Sequence, residues 1–169
     1  MSDTRQFCTF CVQGFFFGVD VRRVQEVLRN QEMTRVPLAP PIVRGLINLR
    51  GQIVTAIDLR RRLALPDGAA ERLPMNVIVR SDDGAVSLLV DEIGEVLTVA
   101  NDASEAPPDT LNDVGRELIA GVFKLPGSLL LVLDTDKAIA PATGWRAGAL
   151  APTGRGPTHE NPKLNKEED

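Results

Sequence analysis

The chain has 169 residues, a formal net charge of −4 and an apolar share of 43 %, as expected of a globular protein that buries a core. Its basic residues are spread along an acidic chain, which argues against nucleic-acid binding, because that needs a concentrated cationic face. No apolar stretch approaches the roughly 18 residues of a membrane span, and the N-terminus carries no cationic and apolar leader, so we expect a cytoplasmic protein without direct membrane insertion.

Short β-rich runs separated by turn residues dominate the chain. The predicted strands cover residues 7–12, 14–19, 53–59, 75–79, 86–90 and 128–133. Strands of this length and spacing predict an all-β protein with few short helices, built as small barrels or as a sandwich.

Two cysteines in the first run, Cys8 and Cys11, form a Cys-x-x-Cys motif. A zinc site would need two further Cys or His ligands, and the only histidine is His159, far along the chain. A redox pair belongs at a helix start, whereas residues three apart on a strand face opposite sides of a sheet. We predict two small apolar core side chains, with thiol redox chemistry as the alternative from a different functional class.

One short helix is predicted after the second run. Asp20 is its predicted N-cap, and the apolar residues that follow are spaced by three and four positions. The stripe consists of Val21, Val24, Val27 and Leu28.

A cluster of three arginines, Arg60 to Arg62, follows the run at 53–59. We interpret it as a solvated turn, and the alternative is a small patch that binds phosphate or lipid. From residue 144 onward the chain is rich in Gly, Pro and charge, which predicts a flexible tail over 144–169. Trp145 is predicted to anchor the edge of the folded part at the start of this tail.

One pattern occurs twice in the chain, at a common offset of 76 residues. The matching pairs are Gly45 with Gly121, Leu49 with Leu125, Gly51 with Gly127 and Asp58 with Asp134. Upstream, the stretch 14–28 resembles the stretch 84–97, and each ends in Glu-Val-Leu. A duplicated small barrel explains both matches.

The repeated motif has a mechanical interpretation. Gly51 allows the positive φ of a tight hairpin, and Asp58 ends the apolar strand that follows it. Asp58, Asp91 and Asp134 each follow an apolar run, but a catalytic pair would have to converge in one pocket, whereas repeated positions fall in separate barrels. We therefore predict that these aspartates cap backbone amides and that the protein has no catalytic site.

The order of several motifs resembles the bacterial chemotaxis coupling family, the CheW-like proteins, over about residues 5–140. The resemblance is carried by Phe17-Gly18-Val19-Asp20-Val21, by Gly45-Leu46-Ile47-Asn48-Leu49-Arg50-Gly51, by Ile57-Asp58-Leu59-Arg60 and by Leu89-Val90-Asp91-Glu92. It implies one domain over 1–143, made of two five-stranded SH3-like barrels packed side by side. We expect these barrels at about 15–80 and 81–140, with the strand near 5–13 pairing with the second barrel.

The resemblance also implies a function. Such proteins are non-catalytic adaptors that bind the regulatory domain of a CheA-type histidine kinase and the cytoplasmic tip of chemoreceptors, in arrays beneath the membrane. No cofactor or metal is implied. The alternative within the family is coupling in a non-flagellar chemosensory pathway, such as pilus motility or gene regulation.

Seven residues match positions that the family uses for coupling. They are Val24, Glu26, Val27, Gly45, Asn48, Arg50 and Gly51. The resemblance implies that a receptor hairpin lies in an apolar groove between the barrels, with Val24 and Val27 lining that groove or, equally, belonging to the core. It implies a Glu26–Arg50 ion pair that orients the contact surface. Gly45 is interpreted first as a backbone requirement and second as a contact.

Overall fold

The computed structural model describes residues 3–66, 73–100 and 105–144, so Trp145, His159 and the predicted tail beyond 144 lie outside the described residues. The described strands are β1 Thr4–Val12, β2 Phe15–Asp20, β3 Val24–Leu28, β4 Val43–Leu49, β5 Gln52–Asp58, β6 Met75–Ser81, β7 Gly84–Val90, β8 Glu92–Ala100, β9 Ile119–Leu125 and β10 Ser128–Leu133. The helices are α1 Leu59–Arg62, α2 Asp113–Glu117 and α3 Thr135–Gly144.

The strands form two five-stranded sheets. Barrel 1 has the strand order β3-β6-β7-β5-β4, and barrel 2 has the order β8-β1-β2-β10-β9. Each sheet contains one parallel pair, β5 with β7 and β2 with β10, while its other neighbours are antiparallel. The predicted all-β fold of two small five-stranded units is confirmed.

The sheets divide the chain differently from the expected ranges 15–80 and 81–140. β2 lies in barrel 2 beside β1, and β7 lies in barrel 1 beside β6. Each sequence repeat therefore places its first hairpin in the barrel of the other repeat. The connections explain this, because β2 reaches β3 through the 3-10 turn Val21–Arg23 and β7 reaches β8 through Asp91 alone. Neither connection has the two-residue, positive-φ turn that folds a strand back onto its neighbour.

The predicted helix after Asp20 is wrong beyond its first turn. Asp20 does act as a cap, since its Oδ1 accepts a hydrogen bond from the Arg22 amide at 2.9 Å, but Val24–Leu28 is a strand paired with β6. A bulge between Val24 and Glu26 adds one residue to β3. Val24 and Val27 therefore lie on the same face of the strand, although they are three positions apart. In a strand without a bulge such residues face opposite sides, and residues with this spacing share a face only on a helix.

Apolar residues are buried on both faces of the sheets, in three clusters. The central core lies between the barrels and includes Phe10, Phe17, Ile57, Val77, Leu88 and Leu131. The interior of barrel 1 holds Ile47, Leu49, Val54, Ala56, Ile78 and Leu89, and the interior of barrel 2 holds Phe7, Val99, Phe123, Leu130 and Val132. Side chains thus fill both the barrels and the space between their facing sheets, as close-packed protein interiors require.

The repeat is visible in the backbone of both halves. Gly51 has φ +89° and Gly127 has φ +81°, so both hairpin turns use the left-handed region that favours glycine. Asp58 accepts a hydrogen bond from the Arg61 amide at 3.2 Å, and Asp134 accepts one from the Lys137 amide at 3.1 Å. The predicted capping role of the aspartates is confirmed, and for these two the capped amides begin helices α1 and α3.

The two cysteines are free thiols on β1. Cys8 is buried and Cys11 is half-buried. Burial raises the pKa of both thiols, and the nearby carboxylates of Glu92 and Asp91 raise the pKa of Cys11 further. These surroundings suppress the thiolate, the form that performs redox chemistry.

Within the described residues, no group of three or more His, Cys, Asp or Glu side chains is placed to hold a metal ion, and no helix is long and apolar enough to cross a membrane.

We expect the thiols to react slowly with a colorimetric thiol reagent at neutral pH. The raised pKa values lower the thiolate fraction, and burial slows access further, so the native chain should react more slowly than the denaturant-unfolded chain. The Cys8→Ala/Cys11→Ala variant should retain its partner binding. Native thiols that react as fast as the unfolded ones, together with loss of binding in this variant, would revive the redox alternative.

Candidate functional site

The β4–β5 hairpin ends in a two-residue turn with an arginine at its tip. Arg50 has φ +51° and Gly51 has φ +89°, the backbone of a type I′ turn. Asn48 closes the turn, because its Oδ1 accepts a hydrogen bond from the Gly51 amide at 2.9 Å. The left-handed region costs a non-glycine residue roughly 1 kcal/mol, so the turn would be more relaxed with glycine or asparagine in place of Arg50.

Arg50 forms the predicted ion pair with Glu26. Glu26 lies on β3 and Arg50 follows β4, and these two strands are the edges of the barrel 1 sheet. The pair therefore spans the seam at which the sheet closes on itself. The Arg50 side chain is 68 % exposed and that of Glu26 is 24 % exposed, so the pair presents charge at the surface. Its contribution to stability is about 0–1 kcal/mol.

Gly45 meets a backbone requirement, as the sequence predicted. The amide and carbonyl of Thr34 bond to those of Leu46, both at 2.8 Å, and this bridge fastens the loop after β3 to β4. A Cβ at Gly45 would lie 2.6 Å from the Thr34 carbonyl oxygen, closer than a van der Waals contact between carbon and oxygen allows. At the equivalent position in the second repeat, Gly121, a Cβ would meet nothing within 4 Å.

Val24 and Val27 lie on the other face of β3 from Glu26. Their strand partners are Val79 and Val77, which belong to the central core, and both valines are half-buried. Val24 packs against the central core itself. Core side chains thus fill the centre of the expected groove between the barrels. The two valines lie at the edge of this core, which we call the rim.

An exposed isoleucine lies beside the hairpin tip. Ile53 is 53 % exposed, whereas the next residue, Val54, is fully buried. Ile53 pairs with Asn48 across the hairpin, so an exposed apolar side chain adjoins the charged pair. The sequence predicts Ile53 as the first residue of an apolar strand, and the pleat of that strand turns its side chain outward.

The arginine cluster forms the short helix α1 rather than the expected turn; the Arg61 side chain is 46 % exposed, but the cluster is not a free anion patch. All three residues lie in α1, and each donates hydrogen bonds to protein acceptors. Arg61 bonds to the Pro41 carbonyl at 3.0 Å, and Arg62 bonds to the Lys137 and Ala138 carbonyls of α3 at 2.9 and 3.0 Å. Arg60, whose side chain is 12 % exposed, pairs with Asp91. The residues next to a run of arginines do not indicate which distant groups will accept its hydrogen bonds, so these contacts could not be predicted from the sequence.

Asp20, at the connection between the barrels, stays ionised well into acid. A side-chain hydrogen bond from Arg22 lowers its pKa to about 2, although partial burial opposes the shift. Folding lowers the pKa of this carboxylate, so its ionised form stabilises the folded state at every pH above the ordinary pKa of 3.8. That contribution is lost as the pH falls toward 2. The first turn after β2 therefore keeps its cap throughout the neutral range.

Comparison with known proteins identifies relatives along most of the chain. Residues 6–142 match the model of the CheW-like domain. The chain is 32 % identical over 136 residues to the chemotaxis protein CheW of Treponema pallidum (strain Nichols), spanning 78 % of this chain and 80 % of that one. It is also 32 % identical over 130 residues to the chemotaxis protein CheW of Bacillus subtilis (strain 168), spanning 77 % of this chain and 83 % of that one.

The fold has a solved counterpart. The crystal structure of the scaffolding protein TtCheW from Thermoanaerobacter tengcongensis matches with a TM-score of 0.68 at 25 % sequence identity. The match covers 79 % of this chain and 89 % of that one. Sequence and structure therefore place the same part of the chain, which contains both barrels, in one group of proteins.

Proposed function

This chain belongs to the CheW-like domain family, and from that membership we propose that it is a non-catalytic adaptor that couples chemoreceptors to a CheA-type histidine kinase in chemotaxis signalling. The observation that carries the proposal beyond the family is the surface ion pair between Glu26 and Arg50 at the seam of barrel 1. It contributes little to stability and holds a charged group at an exposed turn, as expected of a contact surface.

The coupling surface that we propose is centred on the β4–β5 hairpin. Glu26 and Arg50 supply charge, Asn48 and Gly51 shape the turn, and Ile53 supplies exposed apolar area beside them. An apolar contact bordered by polar groups is the usual composition of a protein interface. Gly45 supports this surface indirectly, because it lets the loop after β3 lie against β4.

The receptor tip, a helical hairpin, is proposed to lie along the rim between the barrels. Val24 and Val27 contribute half-buried apolar side chains there, and an amphipathic helix binds through such a strip. Because the centre of the region is packed core, the helix would rest on the rim and would not enter between the barrels. In this arrangement the protein is cytoplasmic and is recruited to membrane-associated receptor arrays through its partners.

A pull-down tests the proposed function. The chain is presented with a kinase regulatory domain and with a receptor cytoplasmic fragment, separately and together, and we expect binding to each and a ternary complex with both. Running the assay with partners from each chemosensory pathway of the source organism separates flagellar from other coupling. Absence of binding to every kinase domain and every receptor fragment would contradict the proposal.

A further inference from the structure

Over the residues that the structure describes, the chain passes between the barrels twice, and both crossings are short. The first crossing is Val21–Arg23, between β2 and β3, and the second is Asp91, between β7 and β8. Apolar packing in the central core opposes separation of the barrels but is non-directional. Hydrogen bonds at the crossings add directional contacts to this packing, and each of them holds two groups in one orientation.

Three parts of the molecule meet at the second crossing, in a contact that we call the inner clasp. Arg60 of α1, in barrel 1, donates hydrogen bonds to Asp91 and to the Gln13 side chain. The Gln13 amide, in the β1–β2 turn of barrel 2, donates to Asp91 Oδ2 at 2.9 Å. The side chains of Arg60 and Asp91 are 12 % and 21 % exposed. Asp91 is thus held from both barrels at once.

The first crossing has an equivalent contact with the charges reversed, which we call the outer clasp. Asp136 of α3 lies 76 residues after Arg60, the offset of the sequence repeat. It accepts a hydrogen bond from Arg23 at 2.7 Å, and Arg23 also donates to the Arg80 carbonyl of barrel 1 at 3.0 Å. That hydrogen bond lowers the pKa of Asp136. This side chain is 77 % exposed, so the outer clasp is the more weakly buried of the two.

We propose that the inner clasp, formed by Arg60, Asp91 and Gln13, is a positioning element that fixes the angle between the two barrels during coupling. The inference rests on the proposed function, because an adaptor that holds two partners must present both contact surfaces in one fixed geometry. Simultaneous engagement is lost when that geometry fails, even if each separate contact keeps its affinity. Arg60 acts through Asp91 and Gln13, because its side chain is only 12 % exposed.

The test compares Arg60→Gln with a matched variant on the same helix, Arg61→Gln. The contacts of Arg61 are with Asp58 and the Pro41 carbonyl, both inside barrel 1, so its loss leaves the crossing unchanged. We expect Arg60→Gln to bind each single partner within about threefold of the wild type but to lose ~10-fold or more of ternary kinase activation. Arg61→Gln should keep both, and Arg60→Lys, which retains a cation, should recover part of the activation.

The angle itself is measured through spin labels placed on each barrel. The substitutions Asp82→Cys and Ser128→Cys, in a chain that carries Cys8→Ala and Cys11→Ala, provide the label sites. Pulsed electron spin resonance then measures the distance between the β6–β7 turn and the start of β10. We expect a narrow distance distribution in the labelled chain with Arg60 unchanged and in its Arg61→Gln variant. The Arg60→Gln variant should show a broadened or shifted distribution. Should Arg60→Gln unfold the chain, Arg60→Lys undergoes the same distance and activation measurements, with smaller changes in the same direction expected.

Three results would overturn the positioning role. The first is an unchanged distance distribution in the Arg60 variant, and the second is a loss of single-partner affinity as large as the loss of activation. The third is a broadened distribution with full activation. Failure of the proposed function is recognised separately, because the wild-type chain would then bind neither partner while the label distances still respond to Arg60.

Discussion

Replacing Arg50 with alanine is expected to abolish array-dependent kinase activation while the fold survives. The Arg50 side chain is 68 % exposed and its pair with Glu26 spans the surface of barrel 1, so the loss to the free energy of unfolding is about 0–1 kcal/mol. The same change removes the charged group at the tip of the proposed coupling surface. The measurements are kinase activity in reconstituted receptor arrays and the thermal unfolding of the isolated variant.

The second repeat offers a matched control for this variant. Lys124, on β9 of the equivalent hairpin, is an exposed cation with no place in the proposed surface, and Lys124→Ala should preserve activation. Glu26→Gln should reproduce the loss in Arg50→Ala if the pair works as a unit. A cooperative unfolding transition that disappears together with activity would show that Arg50 acts through stability, and the interpretation as a contact surface would be wrong.

Replacing Gly45 with alanine is expected to destabilise the fold by about 1–3 kcal/mol, because an added methyl group in a filled space forces the backbone to shift. The new Cβ would lie 2.6 Å from the Thr34 carbonyl oxygen, and Thr34 makes two backbone hydrogen bonds to Leu46. Moving that segment weakens both bonds, each of which contributes about 0.5–1.5 kcal/mol. It also moves the loop that follows β3, so coupling should fall with stability.

Gly121→Ala is the control for Gly45→Ala, because the two glycines match in the repeat while a Cβ at Gly121 meets nothing within 4 Å. We expect its denaturant midpoint to lie close to that of the wild type. Equal denaturant midpoints for the two alanine variants would show that the Thr34 segment moves away from the new methyl group without a loss of stability. In that case Gly45 would be interpreted as a contact residue rather than a backbone requirement.

Much of the candidate site was readable from short motifs. The glycine of the hairpin turn, the capping aspartates and the Glu26–Arg50 pair were all predicted, because each depends on a local pattern or on a motif shared with the family. The contacts of Arg60 were not predicted, since its partner Asp91 lies 31 residues away along the chain. A run of three arginines has the same appearance whether its acceptors are solvent or distant backbone.

The helix predicted after Asp20 failed for a related reason. The valines of β3 are spaced as on a helix, and only the bulge opposite β6 shows that Val24 and Val27 share the face of a strand. Helix and strand differ little in local preference for such a short segment, so the available partner strand decides between them. The isolated segment carries no information about that partner.

The strand-rich class, the duplication and the hairpins follow from local sequence patterns, because the period of apolar residues and the turn glycines act within a few positions. The exchange of first hairpins between the repeats appears only in the folded chain, where β2 joins barrel 2 and β7 joins barrel 1. The reason is that pairing of strands far apart in the chain depends on which edges and apolar faces remain uncovered once the whole chain has collapsed. The duplication seen in the sequence is therefore a duplication of a five-stranded segment, whereas each barrel is made from both copies.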